Sequence, residues 1–271
     1  MIKLIVCDLD GTLLDDDHVT VPPANIAALA KARAAGARIV IATGRTHSIC
    51  THVLRQIECD YMIISNGAAV FDTASGANII LNEILYETAE QMLALAASFN
   101  YIHSVFCGRE ELMEKRYAEE FRKAIGIDSF ASLLLSQIHT VDTLHEGIAG
   151  RAVEKIEIFN VPESNKDNFL ARARAITLWE ISSSYYGKNI ELNAPGVTKG
   201  AALASFCAKA GIKREEILAF GDSDNDIAML RWAGNSYAME NALPEVKAAA
   251  AYCAGYNTQA GVAAVINQYF C

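Results

Sequence analysis

No stretch of the 271 residues approaches the roughly 18 consecutive apolar residues that a membrane helix requires. The opening run, Met1 to Cys7, is too short for the apolar part of a secretory signal and passes straight into Asp8, so neither a leader nor an anchor is expected. The seven cysteines are scattered, odd in number and form no C-x-x-C pair, which leaves a reduced, cytoplasmic protein as the natural reading. Basic charge is short: 23 Lys and Arg stand against 32 Asp and Glu, for a net charge of −9. That balance argues against nucleic acid or an anionic membrane as the main partner. It leaves an anionic substrate open, because a metal and a few local cations reverse the sign inside a pocket. No internal repeat and no low-complexity segment is visible. What the chain does have is length for two domains and 52% hydrophobic residues, enough for sizeable cores.

The chemistry is concentrated at the ends of apolar runs. Ile2 to Cys7 reads as a buried strand. It delivers Asp8 and Asp10, and Gly11 then lets the backbone turn away. In an open α/β sheet, ligands bind outside the carboxyl ends of the strands. Two carboxylates this close repel, and a divalent cation or protonation of one relieves the repulsion; an N-cap acid followed by a turn acid is the plainer alternative. A helix is predicted over Pro22 to Ala35, with Thr20 as a plausible cap. A second buried strand, Arg38 to Ala42, ends in Thr43-Gly44-Arg45, where a hydroxyl and free N–H groups suit a phosphate oxygen as well as they suit an ordinary cap. A third, Tyr61 to Ser65, ends in the turn Ser65-Asn66-Gly67-Ala68, and Val70-Phe71 with Ile79 to Leu81 read as a hairpin. Far along the chain, Lys199 opens a helix that Thr198 caps. A lysine there opposes the helix dipole, which a bound anion would help explain. A further strand, Ile217 to Phe220, ends in Gly221-Asp222-Ser223-Asp224-Asn225-Asp226, with more side-chain oxygens than capping requires.

Residues 82–191 carry none of these signals. Helices are expected over Glu87 to Phe99 and Glu163 to Ile176. Strands are expected over Tyr101 to Cys107, Glu154 to Asn160, Leu178 to Ser182 and Asn189 to Leu192. The alternation of Lys155 and Glu157 with Ile156 and Ile158 reads as a half-exposed antiparallel strand, so this segment is α+β with a sheet open on one face. The mixed-sign run Glu110 to Arg116 reads as a solvated helix face, Asp15-Asp16-Asp17 as a solvated loop, and Trp179 as core. Tyr185-Tyr186-Gly187-Lys188 is a candidate substrate loop or hinge, with ordinary packing the plainer reading of its tyrosines. His47 and His52, five apart, belong to a helix surface or domain interface rather than to a metal site.

Taken in order, DxDGT at Asp8, ATGR at Ala42, SNGA at Ser65, PGVxKG at Pro195 and GDSxND at Gly221 resemble the haloacid dehalogenase-like (HAD) phosphatases of the Cof type, subfamily IIB. Asn241-Ala242 with Pro244 resembles that family's further NA segment. The resemblance implies an α/β fold: a Rossmann-like core with a mainly parallel sheet, formed by 1–81 and 192–271, and an inserted α+β cap of C2B type over 82–191. It implies Asp8 as nucleophile and Asp10 as general acid and base, with the neighbouring negative charges favouring a protonated Asp10 at the outset. It implies Mg2+ held by Asp8, Asp222 and the main-chain carbonyl of Asp10, with Asp226 supporting from behind. Phosphate would be held by Lys199, Thr43, Asn225 and the backbone amides of Leu9 and Gly44. The implied substrate is a small phosphorylated metabolite, selected by the cap. Two alternatives are a sugar-phosphate mutase using the same motifs and a non-enzymatic phospholigand sensor; the latter would be expected to lack Asp8 or Asp10.

Overall fold

The apolar run that follows Met1 folds as β1 (Leu4–Cys7), with all four residues buried. The structure, a computed structural model, describes residues 1–125, 129–184 and 188–270. After β1 come α1 (Pro23–Ala34), β2 (Arg38–Ala42), α2 (His47–Leu54), β3 (Tyr61–Ile64), β4 (Ala69–Asp72) and β5 (Asn78–Leu81). The middle of the chain runs α3 (Tyr86–Ser98), β6 (His103–Cys107), β7 (Glu110–Glu114), α4 (Lys115–Ala124), α5 (Ser129–Gln137), β8 (Ile138–Val141) and α6 (Leu144–Ile148). It continues with β9 (Val153–Ile158), α7 (Glu163–Arg174), β10 (Glu180–Ser184) and β11 (Asn189–Asn193). The remainder is α8 (Lys199–Ala210), β12 (Ile217–Gly221), α9 (Ile227–Trp232), β13 (Asn235–Ala238), α10 (Pro244–Lys247), β14 (Tyr252–Cys253) and α11 (Gly261–Tyr269).

The chain divides into two compact units. The first comprises Met1–Arg45, Cys50–Ile80 and Thr198–Cys271. Its eight-stranded sheet has the order β14-β13-β12-β1-β2-β3-β4-β5. The pairs from β14 to β3 are parallel, and β4 reverses against β3. Alternate residues of the strands feed opposite faces, as the two-residue period demands. Ile5, Cys7, Ile39 and Ile41 join one apolar cluster with α1 and α11, while Leu4, Val6, Val40 and Ala42 join another with α8. Register places the chemistry: Cys7 lies opposite both Ile41 and Phe220, so the residues that follow, Asp8, Thr43 and Asp222, leave the sheet on one edge. The strand order also turns about β1, the switch point at which open α/β sheets bind ligands.

The second unit comprises Leu81–Val197 with Thr46–Ile49, and its six-stranded sheet has the order β10-β11-β9-β6-β7-β8. Its apolar clusters are its own, with α3, α6 and α7 over one face of the sheet. The unit extends to Val197 rather than to Glu191, because β11 pairs with β9 and β10 and carries Leu192 and Asn193 with it.

Three local expectations change. The run Glu110 to Arg116 is a strand as far as Glu114 and not a helix face, because Leu112 enters the apolar core while β6 and β8 pair with its backbone. Lys155 and Glu157 are buried, not half-exposed, and are ion-paired to one another with Glu191 joining at Lys155. Thr20 does not cap α1: its hydroxyl donates to Asp17, and Pro22 takes the cap position ahead of Pro23, whose missing N–H suits a first turn. Trp179 is core, its indole N–H donating to the Ala173 carbonyl at 3.0 Å. Residues 185–187 of the candidate substrate loop lie outside the described residues.

Candidate active site

Asp8 follows β1 directly and is 5% exposed, its N–H donating to the Phe220 carbonyl at 3.1 Å. Gly11 is the residue that permits the turn: its φ is +72°, and a Cβ there would lie 2.3 Å from Asp222 Oδ2. Thr12, buried in the same turn, donates its hydroxyl to Asp222 Oδ1 at 3.2 Å, across 210 residues of sequence. Asp222 itself leaves the end of β12 next door.

Lys199 begins α8, where the Thr198 hydroxyl accepts the Ala201 N–H as cap. Its ammonium is fully buried and donates to Asp8 Oδ1 and Asp226 Oδ1, each at 2.8 Å. Asp226 uses its other oxygen to accept the backbone N–H groups of Asp222 and Ser223, at 2.9 and 3.1 Å. Asp8, Asp222 and Asp226 each offer one carboxylate oxygen within 4.8 Å of the others, and they are the group of this kind found among the described residues. The side-chain group therefore differs from the expected set. Asp226 stands in it, although both its oxygens already serve Lys199 and the amides. Asp10 does not, its expected contact being through the main-chain carbonyl. Neither His47 nor His52 stands in the group.

The electrostatics explain what such a cluster wants. Burial pushes Asp8 up to about 7 against the pull of Lys199, with Asp226 and Asp10 adding to the rise. Burial, then the charges of Asp8 and Asp226, push Asp222 up to about 8. Carboxyls crowded this closely are relieved by a proton or by a hard cation, and an all-oxygen donor set without thiol or imidazole fits a divalent ion of the magnesium class.

Asp10 behaves in the opposite sense. Burial works to raise it. The Arg45 guanidinium charge and the hydrogen bonds from His18 and Arg45 outweigh burial and hold its carboxyl well below the usual carboxylate range. Arg45 Nε donates to Oδ2 and His18 Nδ1 meets Oδ1, both at 2.8 Å, while Arg45 Nη2 also donates to Oδ1. The expectation that adjacent negative charges keep Asp10 protonated is overturned: the Arg45 guanidinium and the His18 imidazole, not anions, are its nearest partners.

The residues expected at phosphate fall on the same edge. Thr43 is buried at the end of β2, its hydroxyl accepting the Arg45 N–H at 3.1 Å, with Gly44 half-buried between them. The Leu9 side chain lies in the apolar core, which leaves only its backbone for a ligand. The side-chain N–H of Asn225 donates to Asn66 Oδ1 at 3.0 Å. Asp224 is exposed. Sequence reasoning passed over His18 and gave no role to Asn66 of the SNGA turn or to Asn241 of the NA segment, whose amide donates to the Gly11 carbonyl at 2.7 Å. It left Arg45 without a role. The TGR tripeptide and the SNGA turn were the available signals for Arg45 and Asn66; His18 sits in a loop with none.

Comparison with known proteins identifies the family. A family model described as haloacid dehalogenase-like hydrolase matches residues 5–266. A 5-amino-6-(5-phospho-D-ribitylamino)uracil phosphatase of Bacillus subtilis (strain 168) is 32% identical over 273 residues, covering 99% of this chain and 96% of that protein. Another phosphatase of the same organism is 31% identical over 284 residues, covering 96% and 97%. A solved HAD subclass IIB sugar phosphatase superposes with a TM-score of 0.83 at 27% identity, covering 98% of each chain. With a carboxylate pair at the end of the central strand and a buried lysine set against it, the chain belongs to the haloacid dehalogenase-like hydrolases, among the subclass IIB enzymes that hydrolyse small phosphate esters.

Proposed function

We propose that the chain is a Mg2+-dependent phosphatase of small phosphomonoesters, working through an aspartyl-phosphate on Asp8. The observation that carries this reading is the buried Asp8 carboxylate with the Lys199 ammonium 2.8 Å away and Asp222 beside it. Phosphoryl transfer is mainly positioning and charge neutralisation. Asp8 attacks phosphorus in line, the bond to the leaving oxygen breaks, and an acyl phosphate results. Asp8, Asp222 and the Asp10 carbonyl would hold the cation, which neutralises charge between an anionic nucleophile and a phosphate dianion. Lys199, Thr43, Asn225 and the amides of Leu9 and Gly44 take the remaining phosphoryl oxygens. Asp226 keeps Lys199 in place.

Asp10, ionised between Arg45 and His18, is in the state of a base. That suits the second half of the reaction, in which it takes a proton from the water that cleaves the acyl phosphate. In the first half it must carry a proton for the leaving alkoxide, so its contacts to Arg45 and His18 loosen while it does. The second unit is the substrate-selecting cap. Its own sheet and apolar clusters support reading it as a separate body.

The test is release of inorganic phosphate from a panel of sugar phosphates, other small monoesters and p-nitrophenyl phosphate, with Mg2+ and after EDTA. Release that requires the metal supports the reading. Isomerised sugar phosphate without free phosphate would favour a mutase. Excision of 82–197 behind a flexible linker should lower kcat/KM for the best substrate more than for p-nitrophenyl phosphate; an unchanged selectivity profile would overturn the cap assignment.

A further inference from the structure

At the end of β3 the chain passes through three consecutive buried residues with left-handed φ: Ser65 at +50°, Asn66 at +59° and Gly67 at +106°. Glycine accepts this freely. Serine and, less severely, asparagine do not, and such conformations persist only where the surroundings over-determine them. Here the surroundings are the phosphate-contacting segments. The Ser65 N–H donates to the Arg45 carbonyl at 3.0 Å, and the Asn66 N–H to the Thr43 carbonyl at 3.1 Å. A Cβ on Gly67 would lie 2.4 Å from the carbonyl oxygen of Thr198, the cap of the helix that Lys199 opens. The Asn66 side chain meets Asn225. One strained turn thus braces Thr43, Lys199 and Asn225, which come from three separate stretches of sequence.

The amide pair adds a chemical reason. Asn225 Nδ2 donates to Asn66 Oδ1, which leaves Asn225 Oδ1 buried without a partner. A buried acceptor without a partner is costly, and the oxygen and nitrogen of an amide are interchangeable in shape. Turning both amides over lets Asn66 Nδ2 donate to Asn225 Oδ1. Asn225 Nδ2 then occupies the orphaned position, where it offers an N–H to an anion. We infer that Asn66 is a positioning residue of the phosphate site: its side-chain amide selects the donor face of Asn225 for the phosphoryl group, and its backbone N–H holds Thr43, while the next residue, Gly67, packs against the start of α8. This rests on the function proposed above.

The experiment compares wild type with Asn66→Ala, Asn66→Asp, Asn66→Gly, Asn225→Ala and the double variant Asn66→Ala/Asn225→Ala. Each is assayed with p-nitrophenyl phosphate and Mg2+, with inorganic phosphate as competitive inhibitor and thermal unfolding as control. Asn66→Ala should lower kcat/KM about a hundredfold, the scale of losing one preorganised donor. The Ki for inorganic phosphate should rise alongside. Asn66→Asp is nearly isosteric and tolerates left-handed φ, yet it accepts only and so pins the wrong face of Asn225; it should be worse than Asn66→Ala. In the Asn225→Ala background, removing Asn66 should cost less than about threefold, because the two act as one unit. Asn66→Gly keeps the backbone without strain, so it reports on the side chain even if Asn66→Ala folds poorly. Full activity in Asn66→Asp, additive losses in the double variant, or an unchanged phosphate Ki would overturn the inference while leaving the phosphatase reading intact. A wild-type protein that released no phosphate from any ester would overturn both.

Discussion

Replacing Lys199 with methionine isolates the charge that organises the site. The substitution keeps length and apolar bulk, so the packing change is small. What it removes is a fully buried ammonium 2.8 Å from each of two carboxylates. Asp8, Asp222 and Asp226 then crowd together without a cation hydrogen-bonded to them, and Asp226 retains only its two backbone amides. Breaking a buried ion pair from one side costs about 3–5 kcal/mol. The cost should depend on pH, and its sign follows from the carboxyls. Lys199 is held above its ordinary value, so it stays charged across pH 5.5 to 9, and the pH dependence comes from the carboxyls alone. Asp8 and Asp222 already sit near 7 and 8 by burial, and Lys199 is a cause that lowers both. Without it they rise further. At pH 5.5 the carboxyls are largely protonated with or without Lys199 and the cost is small; it grows as pH climbs toward 9, where the variant's carboxyls ionise less readily than those of the wild type. Urea unfolding in EDTA at pH 5.5, 7.5 and 9 reads this directly, and Mg2+ at 100 times its Kd should return about 2.7 kcal/mol by mass action. A loss below about 1 kcal/mol that does not grow with pH would refute the reasoning.

Asp8→Asn should abolish phosphate release without unfolding the protein, since the amide keeps an oxygen for Lys199; turnover within tenfold of wild type would remove Asp8 from the nucleophile's role. Exhaustive chelation should silence the enzyme, with Mg2+ or Mn2+ restoring it and Ca2+ doing so poorly; undiminished turnover in EDTA would contradict the oxygen-ligand reading. In the second unit, burial and then the Glu157 charge push Glu111 up to about 8, against the pull of the Ser104 hydroxyl and then of Lys155, with Glu191 adding to the rise, and the carboxyl is buried. A raised folded pKa means that stability is lost as pH climbs from the ordinary carboxyl range through about 8, at about 1.4 kcal/mol per unit at most. Glu111→Gln should therefore match wild type near pH 5, exceed it by a few kcal/mol at pH 9 and flatten the urea-midpoint curve between them; an unchanged pH slope would count against it.

Local pattern was enough for whatever depends on neighbours in sequence. The apolar runs ending in Asp8, Thr43 and Asp222 had to be buried strands, and once parallel their carboxyl ends had to share an edge. Two carboxylates two residues apart, followed by glycine, marked a turn at the strand end that carries charge. The cap of α8 and the place of Lys199 at its start were readable for the same reason. Tertiary structure decided what depends on partners far away. Lys199 meets Asp8 across 191 residues and Asn225 meets Asn66 across 159. Whether Asp10 carries a proton turned on Arg45 and His18, which lie 35 and 8 residues on and reach it only through the folded loop. Residues 110–114 have a charge pattern that suits an exposed helix, and only pairing to β6 and β8 makes them a strand. Burial of Lys155 and Glu157 likewise waited on Glu191, supplied by β11, the strand that also carries the second unit past its expected end. Periodicity reports which face of an element is apolar; only the assembled sheet reports which charges it finds opposite.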